Sequence, residues 1–365
     1  MRLECSADKL KEAVSQADKV TSKNSTLEVL NCVLLIASGK SLKIRSTNLS
    51  LGLEIEIPAN IEEEGEVVIS GDVLNNTISN ISGEKIIKFE KKDNTLIISN
   101  KNNSVTLKTV SPDDFPTLPA VEGESFEISS KGFIEGIKEV YYSSAVSDIK
   151  PEISSVYIYT NEDNIFFVST DSFRLSEKSI KNKKNIEIEG LLIPFKNIIE
   201  ILKIIGSFDE EMRVYYNKNQ ISFTFPGFYL TSRLIDGVFP DYRQIIPKDV
   251  ETSVIVLKSD VQNALKLSNI FSDKFNQITL SVKPKDKIFE INAQNQDVGE
   301  NRTVLQGSLN GKDIDMKLNL KYFLDCFQSI KEDSIVLNFN GNNRPLIVKG
   351  NGDKTFQYLI MPMNR

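Results

Sequence analysis

Two patterns alternate along the chain. Apolar residues at helical spacing mark six segments, and between them polar and apolar residues alternate in short runs. One kind of helical segment opens each third of the chain, at residues 6–14, 130–137 and 259–265. Each starts with a serine or aspartate suited to capping the free N–H groups of a first turn. A second kind follows later in each third, at 71–78, 194–202 and 319–327. Asp8, Gly132 and Asp260 lie 124 and then 128 positions apart, while Ser70, Pro194 and Asn319 lie 124 and then 125 apart. Two independent markers thus give one period near a third of the chain.

Between the helices, residues 51–57, 85–90, 187–189 and 254–256 alternate or run β-branched, which predicts strands. Turn-forming clusters at 91–94, 161–164 and 340–343 separate such runs. Each unit then reads as two helices packed on antiparallel sheets, an α+β pattern repeated in tandem. Proline-containing joints at 115–119 and 239–247 fall where the period requires, giving expected domains of 1–122, 123–250 and 251–365.

Composition narrows the function. At 365 residues, with 40% hydrophobic and 26% charged positions, the chain suits several globular domains. The longest apolar runs, 32–37 and 190–195, are far too short to cross a bilayer, and the N-terminus has no apolar signal core. A cytoplasmic protein without membrane contact is expected. Cys5, Cys32 and Cys326 are widely separated and set in apolar patterns, which predicts buried free thiols rather than a metal or disulfide framework. Histidine is absent, so Ser-His-Asp and Cys-His mechanisms are removed and catalytic zinc is disfavoured. No catalytic residue, metal or cofactor is expected. A net charge of −6 argues against a surface that grips nucleic acid throughout. It leaves room for one mildly basic face.

Tandem domains make arrays, or rings when the rotation between neighbours closes. Sheet edges that pair between domains would build a continuous wall, with helices covering the other face. In the last three helical segments Lys196, Glu200 and Lys203, then Lys258, Asp260 and Lys266, then Lys321, Asp325 and Lys331 each come to +1, while the first three sum to about zero or slightly below. If that face lined a hole, nucleic acid would need it to be non-acidic, and Lys196, Lys203 and Lys266 would be the candidates to face DNA.

Specific strings carry a resemblance. Thr170-Asp171-Ser172-Phe173-Arg174-Leu175 resembles a T-D-G-H-R-L segment of bacterial β sliding clamps, the beta subunit of DNA polymerase III. The block from Leu234 through Asp236-Gly237, Phe239-Pro240-Asp241-Tyr242 and Pro247 is similar to their L-x-D-G-x-F-P-D-Y-x-x-x-x-P. Asp114-Phe115-Pro116 and the ending Tyr358-Leu359-Ile360-Met361-Pro362-Met363 resemble two further family strings. All four stand in the family's order and spacing, and the resemblance covers the whole chain.

The resemblance implies a head-to-tail homodimer, a six-domain ring with helices inside that encircles double-stranded DNA without reading its sequence. It also implies a hydrophobic pocket that takes short linear motifs from the replicative polymerase, the clamp loader and repair proteins. The positions matching that pocket are Ile153, Thr170, Ser172, Phe173, Arg174, Leu175, Pro240, Gln244, Ile245, Pro345, Leu359, Ile360, Met361, Pro362 and Met363. Methionine and branched aliphatics would form an adaptable apolar surface with a polar rim. Lys23 and Lys150 fall nearest the family's DNA-contacting positions, and Val105 and Leu107 against Ile270 and Phe271 match its dimer interface. The sequence departs from the family at Ser172, where glycine is frequent, at Phe173, where histidine is, and at Gln244, where arginine is. The terminal arginine is also displaced by one place in Met363-Asn364-Arg365. These departures bear on partner preference.

Two other readings fit the residues alone. A repeat-built scaffold without nucleic acid would share the acidic composition. A carboxylate- or magnesium-dependent enzyme could use Asp113-Asp114 or Asp171, although adjacent aspartates on a strand point to opposite faces and a turn suits them better.

Overall fold

The structure is a computed structural model that describes residues 1–22, 26–81, 85–147, 149–182 and 186–363. The first third runs β1 (Arg2–Ser6), α1 (Ala7–Val20), β2 (Cys32–Ser38), β3 (Ser41–Thr47), β4 (Leu51–Glu63), β5 (Gly65–Ser70), α2 (Gly71–Asn80), β6 (Ile86–Lys92), β7 (Thr95–Ser99) and β8 (Ser104–Lys108). The second third repeats this order as β9 (Glu124–Ser129), α3 (Ser130–Lys138), β10 (Ser155–Asn161), β11 (Asn164–Thr170), β12 (Arg174–Lys181), β13 (Leu191–Pro194), α4 (Phe195–Ile205), β14 (Glu211–Tyr216), β15 (Gln220–Phe225) and β16 (Phe228–Arg233). The last third follows as β17 (Thr252–Leu257), α5 (Lys258–Ile270), β18 (Gln277–Lys283), β19 (Ile288–Asn295), β20 (Gly299–Leu305), β21 (Gly307–Gly311), β22 (Ile314–Asn319), α6 (Leu320–Asp325), β23 (Ser334–Phe339), β24 (Leu346–Gly350) and β25 (Phe356–Ile360). Its β20 and β21 together stand where the first third has the single long strand β4.

The pairing repeats as well as the order. In each third the strand before the first helix pairs antiparallel with the strand after the second helix: β1 with β6, β9 with β14, β17 with β23. Each third's next strands pair as β2 with β3 and β5, β10 with β11 and β13, β18 with β19 and β22. The fold class expected from periodicity, three similar α+β domains, is what the chain forms.

The helices form for the reason their spacing suggests. In α1, Leu10, Ala13, Val14, Ala17 and Val20 are buried on one face while Lys9, Lys11, Glu12 and Lys19 face out. The capping expectation fares less well. Ser6 makes no side-chain cap hydrogen bond. Ser130 turns its hydroxyl instead to the 208–210 segment, donating to the Phe208 carbonyl at 3.0 Å and accepting from the Glu210 N–H at 3.1 Å. Helix α5 begins at Lys258, so Ser259 lies inside it. Asn319 is a true cap, its side chain accepting from the N–H groups of Lys321 and Tyr322 at 3.0 and 3.2 Å. Residues 187–189, expected as a strand, are not one. The Ile188 N–H is taken by the Thr160 side chain at 2.8 Å, so the hydroxyl replaces a ladder partner.

The described chain divides into two compact units. One comprises Met1–Lys131 with Ile199–Leu234, the other Gly132–Ile198 with Ile235–Arg365. In the first unit a 12-stranded sheet runs β8-β7-β6-β1-β4-β16-β15-β14-β9, with β2, β3 and β5 attached. In the second a nine-stranded sheet runs β13-β10-β11-β12-β25-β24-β23-β17-β21 beside a four-stranded sheet β20-β19-β18-β22. The middle third therefore gives β9, β14, β15 and β16 to one unit and β10 to β13 to the other.

Each unit contains one seam between successive thirds, made in the same way. The fourth strand of one third pairs antiparallel with the last strand of the next: β4 with β16, and β12 with β25. The remaining members of this series, β20 and β8, each end a sheet with one edge unpaired among the described residues. Cys5, Cys32 and Cys326 are free and buried, and burial pushes the Cys5 thiol up to about 12. Among the described residues no helix is long and apolar enough to cross a membrane.

Candidate functional site

The β12–β25 seam gathers most of the residues singled out for partner binding. Thr170 ends β11, and a tight loop carries the chain into β12. The Thr170 hydroxyl accepts from the Ser172 N–H at 3.1 Å and donates to the Arg174 carbonyl at 2.6 Å. One oxygen of Asp171 accepts from the N–H groups of Phe173 and Arg174 at 2.9 and 3.0 Å, and the other accepts from Arg174 Nε at 2.9 Å. This turn forces Ser172 to φ +78° and lifts Phe173 into solvent, 61% exposed. Asp171 is thus committed to holding a loop, and Asp113-Asp114 lie in a turn. No group of three metal-ligating side chains assembles among the described residues.

Arg174 is the electrostatic hub. Its guanidinium bridges Asp171 and Asp325 and lies over the Tyr322 ring, 4.6 Å from the centroid. Burial pulls this group's pKa down, but Tyr358, Asp171 and Asp325 outweigh it and hold it above the usual arginine value. Burial followed by Asp171 pushes the Tyr322 hydroxyl up, so it stays a neutral ring under the cation.

Alternation along the ladder puts neighbouring residues to different uses. Leu175 pairs with Leu359, and Leu359 with Ile347. These three join one apolar cluster with Phe239 and Tyr242, against which Ile235 and Ile246 pack. That cluster brings the 235–247 segment to the seam, with Pro240 exposed and Ile245 41% exposed. Ile360 faces the other side, in the core of the last third. Beyond β25 the Met361 N–H donates to the Phe173 carbonyl and the Met363 N–H to the Lys317 carbonyl, both at 2.8 Å. Met361, Pro362 and Met363 are half-buried there. Pro345 is buried just ahead of β24, and Ile153 is buried at the turn into β10. Gln244 is exposed and donates to Asp241 at 2.7 Å. The result is an apolar surface of phenylalanine, methionine, proline and isoleucine with a charged rim, suited to a short peptide.

The other candidates lie elsewhere. Lys23 falls outside the described residues. Lys150 is exposed in the loop before β10, Lys196 on the first turn of α4, and Lys266 on α5. Lys203, also exposed on α4, donates to Glu200 at 2.9 Å. Val105 and Leu107 are half-buried on the edge strand β8, between exposed Ser104, Thr106 and Lys108. Ile270 ends α5 at 61% exposure, while Phe271 packs on the core of the last third.

Sequence comparison covers almost the whole chain. Models of the DNA polymerase III beta subunit match its N-terminal domain at residues 1–119, its central domain at 127–241 and its C-terminal domain at 243–364. The chain belongs to the DNA polymerase III beta subunit family. It is 25% identical to a beta sliding clamp of Synechococcus elongatus, over all of this chain and 99% of that protein. Among solved structures it resembles the DNA polymerase III subunit beta of Pseudomonas aeruginosa, with TM-score 0.95, 22% identity and full coverage of both chains. The same fold is found in a sliding clamp from Pseudomonas aeruginosa bound to griselimycin, with TM-score 0.94, 23% identity and full coverage of both chains.

In this beta subunit several residues that build the seam had escaped the sequence. Asp325 and Tyr322 hold Arg174 from 151 and 148 positions away, and Ile347 completes the floor under Leu175. Val304, on the open edge strand β20, is 52% exposed. No local signal marks Asp325, Tyr322 or Ile347, because each acts through a contact distant in sequence, and Val304 belongs to the four-stranded sheet instead.

Proposed function

We propose that this beta subunit is a DNA sliding clamp: a processivity factor without a catalytic site of its own, working in the cytoplasm. It would encircle duplex DNA and tether the replicative polymerase to it. The observation that carries this reading is the incomplete series of seams. Two are closed inside the chain, β4 with β16 and β12 with β25, and the third pair, β20 and β8, is left open. An unpaired edge bearing exposed apolar residues is a liability unless something covers it. A second copy placed head to tail would set its β8 on β20 and its β20 on β8. The closure would be a two-fold ring of six domains, with Val105 and Leu107 meeting Ile270, Phe271 and Val304.

A ring held by topology has no need of strong contacts. Screened attraction between phosphates and a few exposed lysines, such as Lys150, Lys196 and Lys266, suffices and lets the ring slide. The acidic total keeps the rest of the surface from gripping DNA. Partners would dock at the β12–β25 seam, an apolar residue of a linear motif seated against Phe173, Met361 and Ile245 and its polar flank toward Arg174.

The deciding experiment is topological. Loaded onto nicked circular DNA, the protein should stay bound through gel filtration and be lost when the circle is linearised. Equal retention on both forms would refute encirclement. Ile270→Asp should break the dimer, lowering the sedimentation coefficient to that of a monomer. A variant that sediments like the parent would remove α5 and β20 from the interface.

A further inference from the structure

The β4–β16 seam reproduces the β12–β25 seam group by group. The Thr47 hydroxyl accepts from the Leu49 N–H at 3.0 Å and donates to the Leu51 carbonyl at 2.7 Å, as Thr170 does with Ser172 and Arg174. Asn48 Oδ1 accepts from the N–H groups of Ser50 and Leu51 at 3.0 and 2.8 Å, as Asp171 does from Phe173 and Arg174. Leu49 is forced to φ +71°, beside +78° for Ser172. Across the ladder Gly52 faces Thr231 as Leu175 faces Leu359. One step on, the Arg233 N–H donates to the Ser50 carbonyl at 2.8 Å, as the Met361 N–H does to Phe173.

A cavity of about 110 Å³ opens at this first seam, walled by Leu49, Pro116, Leu118, Thr231 and Arg233. Leu118, from the joint between domains, lies over Gly52: a Cβ there would come 2.4 Å from Leu118 Cδ2. Leu118 thus supplies the floor that Leu175 supplies at the second seam. Two exposed side chains line this cavity. Leu49 is a branched residue in the left-handed region, 47% exposed at the cavity mouth. Arg233 is exposed and makes no ion pair among the described residues, and it stands where the second seam has Met361.

We propose that the β4–β16 seam is a second docking site, for a short extended peptide with one branched aliphatic residue and a carboxylate beside it. The peptide class rests on the partner role proposed for the second seam. The choice of an acidic flank rests on Arg233, a free cation in place of a methionine. The cavity has room for one aliphatic side chain, Leu49 shields it from water, and Arg233 reaches the neighbouring carboxylate.

The test is fluorescence anisotropy of the full chain with a labelled pentapeptide bearing leucine between two glutamates, and with its glutamine counterpart. Arg233→Gln should weaken the glutamate peptide about tenfold, and Arg233→Lys should retain it. Leu49→Gly should weaken it too, while raising the melting temperature by relieving the backbone, a pair of effects that a purely structural leucine would not give. Unchanged affinity in Arg233→Gln, loss confined to Phe173→Ala, or no binding of the glutamate peptide would each overturn the proposal. Phe173→Ala should weaken the glutamine peptide; if it does not, the partner reading of the second seam fails instead.

Discussion

The two closed seams share a backbone and differ in what it carries. Both are framed by a threonine and an Asx side chain that satisfy the same loop N–H groups, and both continue into an antiparallel ladder. At the first seam the residue entering the fourth strand is Leu51, 2% exposed. At the second it is Arg174, set among two carboxylates and a tyrosine ring. The loop chemistry fixes the frame, and the side chains mounted on it decide whether the strand entry packs into the core, as Leu51 does, or holds a charge, as Arg174 does.

Changing those two equivalent residues gives the largest effects and separates the two kinds of seam. Leu51→Ala should lower the urea midpoint by the equivalent of about 3 kcal/mol, as a large-to-small change in a closed core does. Salt should leave that loss unaltered. Arg174→Ala should cost about 2 kcal/mol, less than a fully buried pair because Asp325 is half open to solvent, and it leaves Asp171 and Asp325 without a counter-charge. That loss should shrink in about 1 M salt, where the Debye length falls to roughly 3 Å. Equal salt responses at both positions would mean that the seams do not differ in the way described.

What the sequence showed of this follows the same division. The repeat was legible because helical spacing is local and recurs at a constant interval, and the strings at 170–175, 234–247 and 358–363 marked the second seam because they are contiguous. The first seam was invisible. Thr47-Asn48-Leu49-Ser50-Leu51-Gly52 shares with Thr170-Asp171-Ser172-Phe173-Arg174-Leu175 only the threonine and the Asx character of the next residue, and hydrogen bonds to main-chain groups constrain little else. Asp325 and Leu118 were equally hidden, since each reaches its partner through the fold. Residues 187–189 misled because alternation marks an extended chain and cannot report that a threonine hydroxyl has taken the place of a ladder partner.

A smaller effect tests the exchange of floor residues. Gly52→Ala should cost about 1–2 kcal/mol, because the new methyl meets Leu118 Cδ2 and, at 3.1 Å, Thr231 Cγ2. Adding Leu118→Ala removes the first of these clashes. The double-mutant cycle should then show a coupling of about 1 kcal/mol, with the pair less damaged than the sum of its parts. Additive losses would show that Leu118 does not stand in for Leu175.

The smallest expected change is a gain. Leu49 and Ser172 occupy the same left-handed position, at φ +71° and +78°, where a side chain is disfavoured by roughly 1–2 kcal/mol. Replacing either by glycine removes that penalty and adds some unfolded-state entropy, so each variant should gain about 0.5–1 kcal/mol. The larger gain belongs to Leu49→Gly, because a branched side chain tolerates this region less well than serine, and Leu49 is nearly half exposed and contributes little burial. Thermal melting of the two variants side by side reads the order directly. A destabilised Leu49→Gly would mean that the leucine packs as part of the fold, and the first seam would then be closed by its own residues, with no strained side chain held ready for a partner.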